Sequence, residues 1–399
     1  MADEGQAGPW YRRRIAGIAV QVGLIILIGG LIYAAAYNAA QNLARAHIAS
    51  GFGFWNNTAG FDISQALIAY SPAGSTFGRA FWVGLLNTLL VAAIGILLAT
   101  MLGFAVGIAR LSRNWLVARL AAGYVEVIRN VPLLLQLYFW YNAVLKSLPD
   151  VRDSIALAGG GFLNNHGPFL FLNNRGLFLP RPEFGSGFSA VLAAFLAGVL
   201  GAIVLRLWAR RRQERTGAEI HVLWPALALL CALPFLAFAL TGTPLTFSPP
   251  QMGRFNVRGG LEILPEFAAL TVGLTTYTAA FIAEVVRAGV LSVSAGQAEA
   301  AQALGLRSGT TLRLVIVPQA MRVIIPPLTS QYLNLIKNSS LAVAIGYPDL
   351  VQVFTGTVLN ITGQAVEVVA ITMAVYLTIS LFASLLMNLY ARTTSVVEH

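Results

Sequence analysis

Charge is scarce in this 399-residue chain: Asp, Glu, Lys and Arg make up 11% of it, against about 25% in an average soluble domain. With 57% hydrophobic residues and a mean hydropathy of +0.71, the composition argues against a water-soluble globule. Cysteine is nearly absent. Cys231 stands alone, which excludes a disulfide framework and a cysteine-based metal site. His47, His166, His221 and His399 are scattered without metal-ligand spacing. Lysine occurs only at Lys146 and Lys337, and neither follows a G-x-x-x-x-G-K phosphate loop, so that means of gripping ATP is missing. The chain also lacks H-E-x-x-H and any clustered carboxylate or histidine set for metal or acid-base work, which argues against a membrane enzyme.

What the chain does have is long apolar runs. A helix needs about 20 mostly apolar residues to cross the hydrocarbon core, and eight runs qualify as expected spans: Ile15–Ala36, Phe81–Ala109, Gly123–Leu145, Phe188–Trp208, Val222–Thr241, Phe267–Val290, Val323–Ile345 and Val366–Tyr390. The basic excess of 26 Lys and Arg over 16 acids suits nucleic acid, acidic lipid or the topology bias of a membrane protein. Apolar runs between the basic clusters decide for the membrane. The run after Arg12–Arg14 exceeds the 7 to 15 residues of a secretory h-region, so it is expected to be an uncleaved first helix. Placing the N-terminus inside puts sixteen of the Lys and Arg on the inner side and eight outside, with Arg129 and Lys337 at membrane depth. The positive-inside rule favours that orientation, and an even helix count returns the C-terminus to the cytoplasm. The outer segments Asn38–Ala80, Lys146–Gly187 and Gly242–Glu266 read as plain connectors.

Between the sixth and seventh runs lies a segment of another character. Glu299-Ala300-Ala301, three residues, Gly305, nine residues, then Val315-x-Val317-Pro318 predict two short helices. Ser294 is positioned to cap the first, Gly305 to end it in the left-handed region, Ser308 to start the second, and Pro318 to interrupt before the next span. The small side chains of Ala298, Ala300, Ala301 and Ala303 would permit close approach by another protein. The arrangement resembles the EAA loop of type I ABC importer permeases, with Val315 and Val317 in its two aliphatic positions. The resemblance implies docking on a separate ATPase, with Glu299 and Arg307 as contacts and Gly305 shaping the turn. ATP and magnesium would then sit on that partner, and no cofactor on this chain.

Flanking stretches carry the resemblance further. Thr275 to Glu284, Asn334 to Ala342 and Arg129-Asn130-Val131-Pro132-Leu133-Leu134-Leu135-Gln136 are similar to the polar-amino-acid class of permeases, although that class commonly has Arg-Gly-Thr-Pro at the last site. The implied fold is an all-α polytopic membrane protein with the MetI-like five-helix core and about eight transmembrane helices. The expected organisation is residues 1–80 as tail, first helix and loop, 81–145 and 267–399 as the two parts of the core, and 146–266 as inserted loops with an extra helix pair. The enlarged chain resembles the larger permeases of general L-amino-acid importers of the Aap or Bzt type. The implied function is ATP-driven import of L-amino acids across the bacterial inner membrane, the alternative being a secondary transporter without an ATPase. The implied partners are a second, similar permease, two ATP-binding subunits, a periplasmic amino-acid-binding protein, the amino acid and membrane lipid, with no nucleic acid.

Polar groups inside spans are expensive and mark candidate path residues. Ser330, Asn334, Lys337 and Asn338 share one face of the seventh run by helical spacing, with Ser339 beside them. Lys337 either meets a substrate carboxylate or snorkels outward. In the sixth run Thr271, Thr275 and Thr278 form a stripe beside Tyr277, suited to helix packing more than to a path. Glu284, also a candidate for the path, is spaced for an ion pair with Arg287 or an interface contact more than for substrate recognition. Glu126, Arg129 and Asn130, at helical spacing in the third run, make either a gate or an interhelical lock.

Overall fold

The apolar runs fold as helices because a backbone in hydrocarbon must satisfy its own N–H and C=O groups. The computed structural model describes residues 10–45, 51–158, 170–217, 222–253 and 256–394; all four histidines and Arg254 fall outside them. Among the described residues six helical stretches are long and apolar enough to cross a bilayer: Phe77–Ala109, Phe188–Thr216, Leu223–Leu240, Pro265–Leu291, Ser308–Ile345 and Ala365–Tyr390. Shorter apolar helices at Ala19–Ala35 and Leu133–Leu145 fall in the first and third expected spans. The helices are α1 (Trp10–Arg45), α2 (Phe77–Ala109), α3 (Trp115–Asn130), α4 (Leu133–Tyr138), α5 (Phe188–Thr216), α6 (Leu223–Leu240), α7 (Pro265–Leu291), α8 (Ala295–Ala303), α9 (Ser308–Thr311), α10 (Val317–Asn338), α11 (Leu359–Thr362) and α12 (Ala365–Thr394).

Three departures from the expected spans position the sites. The third run is broken: α3 stops at Asn130 and Val131 is extended, with φ −96° and ψ 127°. Pro132 lacks an N–H and pushes the residue before it out of the helical region. Gln136 repairs the break, its Nε2 donating to the carbonyls of Ile128 and Val131, both at 2.9 Å. The second departure is that Pro318 does not separate the coupling segment from the seventh span. A π turn at Leu312–Ile316 joins α9 to α10, and Pro318 sits in the first turn of α10. There the absent N–H costs little, and the widened turn ahead of it relieves the usual clash with the carbonyl four residues back. The third departure is an unanticipated helical segment, π-helical at Val351–Val358 and continuing as α11.

The chain forms two compact units, residues 1–137 with 270–399, and residues 138–269. In the first, α2 and α7 pack closely because glycines leave room: a Cβ on Gly103 would lie 2.6 Å from Ile282, and one on Gly107 2.8 Å from Val286. The facing residues Ala279, Ala280, Ile282 and Ala283 are fully buried. Residues 51–76 fold back to seat Phe54, Ala59 and Ile63 with Phe77, Phe81, Val353 and Phe354 in one apolar cluster. A buried polar set braces the same region. Asn87 Nδ2 donates to the carbonyls of Gln65 (2.8 Å) and Pro348 (2.9 Å), the Leu350 amide donates to Thr88 Oγ1 (3.0 Å), and Tyr376 donates to Asp349 (3.1 Å).

The second unit holds α5 and α6 as a tight pair, with Gly198 against the Leu229 carbonyl. Its non-helical stretches carry strands, where plain connectors are expected. Strands β1 (Ile155–Ala158), β2 (Leu170–Asn173), β3 (Gly176–Leu179) and β8 (Leu261–Ile263) form an antiparallel sheet in that order, while β4 (Arg181–Phe184) pairs β5 (Leu245–Ser248) and β6 (Gln251–Met252) pairs β7 (Val257–Arg258).

Candidate translocation cavity and coupling segment

Breaking the third run at Pro132 leaves Arg129 and Asn130 at the end of α3, facing α7. They line a cavity of about 370 Å³ with Arg110, Glu126, Phe281 and Glu284. Glu284 is the hub. Its Oε1 accepts from Arg287 Nη2 at 2.6 Å, its Oε2 meets Arg110 at the end of α2, and Arg129 Nη1 stands 4.0 Å away. The Arg129 guanidinium lies 4.9 Å from the centre of the Phe281 ring, a cation–π contact. Tyr124, one turn earlier on α3, ties that helix to α7 by donating to the Thr276 carbonyl at 2.7 Å. Glu284 therefore has two close basic partners. Glu126 has no ion pair among the described residues, and Arg129, besides its approach to Glu284 and Phe281, lines the cavity with 40% of its side chain exposed. The space is lined by both signs, with Glu126 the acid in it that no arginine pairs among the described residues.

The coupling segment is a separate feature. Gly305 adopts φ +77°, its amide donates to the Gln302 carbonyl (2.9 Å) and that of Leu306 to Ala301 (3.1 Å), the paired bonds of a Schellman cap. Ser294 occupies the N-cap position of α8 in extended conformation, but its side chain makes no capping bond, so that expected cap is absent. Ala301 is buried on the side of α8 that packs against Leu312–Ile316 and is not part of the approach surface. Glu299, Ala300, Ala303, Leu304 and Arg307 are exposed, Leu304 by 81%. An exposed leucine between an acid and an arginine suits a protein partner.

Residues 220–396 match the family described as binding-protein-dependent transport system inner membrane component. Over 97% of its length the chain is 50% identical to the general L-amino acid transport system permease protein AapQ of Rhizobium johnstonii, covering 94% of that protein. The chain belongs to the ABC-transporter permease family. The permease is also 49% identical to the putative amino-acid ABC transporter permease protein YhdX of Escherichia coli K12, over 98% of this chain and 96% of that one. It shares 42% identity with the glutamate/glutamine/aspartate/asparagine transport system permease protein BztB of Rhodobacter capsulatus, over 97% and 96%. It is thus a multi-pass membrane protein and a non-catalytic subunit whose ATPase is a separate chain, and none of these relatives supports a secondary transporter.

The remaining expected path residues divide. Ser330, Asn334 and Lys337 of the permease lie exposed along α10, with Asn338 half-buried, and Lys337 forms no ion pair among the described residues. Ser339, beside that stripe, is fully buried and donates to the Ile336 carbonyl at 2.7 Å, where the helix passes into 3-10 geometry from Ser339 to Ile345. Thr275 is also turned inward, 8% exposed, and belongs to the packed face of α7. Tyr277 packs at a tilt against Phe281, ring centres 5.0 Å apart, beside the charged cavity. Sequence reasoning missed Arg110 and Tyr124, whose partners lie 174 and 152 residues away.

Proposed function

We propose that the permease is one of a pair of similar subunits in an ATP-driven importer that carries L-amino acids of broad range across the bacterial inner membrane, with both termini cytoplasmic. Two ATP-binding subunits hold ATP and magnesium and dock on α8 through Glu299 and Arg307. A periplasmic binding protein delivers the amino acid. Support for the cargo comes from the names of the relatives, and support for the docking from the exposed face of α8.

The observation that carries the reading is the charge pattern of the cavity. A zwitterion needs an anion for its ammonium and a cation for its carboxylate, close together. Glu126 and Arg129, one turn apart on α3, offer that pair, while the Glu284 hub fixes the wall behind them. The exposed Ser330, Asn334 and Lys337 face of α10 supplies further polar groups along the path. Closure of the ATPase dimer pulls on α8, and the continuous helix from Ser308 to Ile345 transmits that movement to this face.

Chemical protection tests this. In a Cys231→Ser background, needed because Cys231 is exposed, an Asn130→Cys permease in the full transporter is treated with a small thiol reagent. Loaded binding protein and ATP should slow the labelling, whereas the binding protein without amino acid should not. Equal labelling in both conditions would remove the cavity from the path.

A further inference from the structure

A second cavity, of about 620 Å³, lies at the inner ends of α2, α7 and α10 and has no role in moving a polar solute. Its lining includes Phe104, Ile108, Val286, Val290, Met321 and Ile324, and Ser112 is the one hydroxyl-bearing residue in it. The lining is apolar, and water finds few polar partners in such a space. Ile108, at 60% exposure, and Leu312, at 50%, sit on its rim, so the space communicates with the surroundings of the helices. Trp115, at the start of α3 and 75% exposed, is the residue type that settles at the membrane interface. The occupant is therefore apolar and comes from the bilayer side.

The rim has one sign. Arg113 follows Ser112, Arg313 follows Leu312 and Arg322 follows Met321, so each arginine neighbours a lining residue in the chain. All three are exposed, and none forms an ion pair among the described residues. The stretches that build the cavity, 104–119, 286–293 and 312–324, contain no Asp or Glu. A hydrocarbon slot with three exposed arginines next in the chain to its lining residues, at the anionic leaflet of a membrane, matches one class of ligand. We infer that this cavity holds an acyl chain of an anionic phospholipid whose phosphate is met by Arg113, Arg313 and Arg322. Leu312 to Ile324 run from within the coupling segment into α10, so the bound lipid braces the helix through which the ATPase acts.

Native mass spectrometry of the complete transporter, released from membranes containing phosphatidylglycerol and phosphatidylcholine, reads the occupancy. The wild type should retain phosphatidylglycerol, and each of Arg113→Gln and Arg322→Gln should weaken that retention about fivefold without changing phosphatidylcholine. Ala320→Phe, which fills the slot and leaves the arginines in place, should also abolish retention. Equal phosphatidylglycerol in the wild type and the arginine variants, or undiminished retention in Ala320→Phe, would overturn the assignment. So would a crosslink from Val317→Cys to another protein subunit with no lipid bound.

Discussion

Arg110, the residue that closes α2, and Glu284, seven residues before the end of α7, form an ion pair between two helices, and the same carboxylate holds Arg287 on its own helix. With Arg129 of α3 4.0 Å away, three helices meet on one acid at the wall of the charged cavity.

Glu284→Gln keeps the shape of that hub and removes its charge. The pair is partly exposed, so the expected loss is about 2 kcal/mol, between the ~1 kcal/mol ceiling of surface pairs and the ~3 to 5 kcal/mol of broken buried ones. Arg287→Gln should cost only about 0.5 kcal/mol, as same-helix pairs do. Thermal unfolding of the purified transporter separates the two, and an equal effect of both variants would show that the link to Arg110 is idle.

Gly305→Ala should uncouple ATP hydrolysis from uptake. Nothing lies within 4 Å of a Cβ at this position, so the penalty comes from the left-handed backbone, about 1 kcal/mol, concentrated on the turn that sets α8. Gly305→Asn, which tolerates that backbone better, should retain more coupling. The ratio of ATPase rate to uptake in proteoliposomes reports it, and normal coupling in Gly305→Ala would reduce the segment to a connector.

Gly289 marks the closest approach of α7 to α10, where an added Cβ would stand 2.3 Å from Ile324 Cγ1. Gly289→Ala is expected to destabilise by about 1 to 3 kcal/mol, the usual cost of overpacking. Ile324→Ala in the same chain should recover part of it, a negative coupling visible in a double-mutant cycle. Strict additivity would mean that the two helices do not meet there.

Much of this architecture is legible in the sequence because hydrocarbon imposes length and apolarity on every span. Gly305 likewise announces its turn, since few other residues accept its backbone. The break at Pro132 was harder to see, because membrane helices tolerate proline wherever a neighbour re-satisfies the freed carbonyls, and here the neighbour is Gln136. Residues 349–362 form a helical segment too short to register as a span, yet Pro348 followed by Asp349 is a helix-start signal: the Gln352 amide donates to Asp349 Oδ1 at 2.8 Å. Ser339 lies off the polar stripe by the helical period itself, about two and a half turns from Ser330, and is fully buried. The meeting of Arg110 with Glu284 is a long-range contact that no local pattern encodes.

Asn87→Leu tests the buried polar set. The side chain is fully buried and donates to two backbone carbonyls, so its loss strands both acceptors at about 1 to 3 kcal/mol each. The expected outcome is a lower unfolding temperature together with faster proteolysis of residues 51–76, while an unchanged unfolding temperature would show those carbonyls satisfied otherwise.

Arg129 bears most directly on the role of the cavity. In proteoliposomes holding the complete transporter, Arg129→Gln should lower amino-acid uptake by about tenfold or more, in keeping with the loss of a charge-assisted carboxylate contact, with the affinity of the binding protein and assembly of the complex unchanged. Arg129→Lys should restore part of the uptake. Wild-type uptake by Arg129→Gln would contradict the account, because the amino acid would then cross without the cation that the cavity provides.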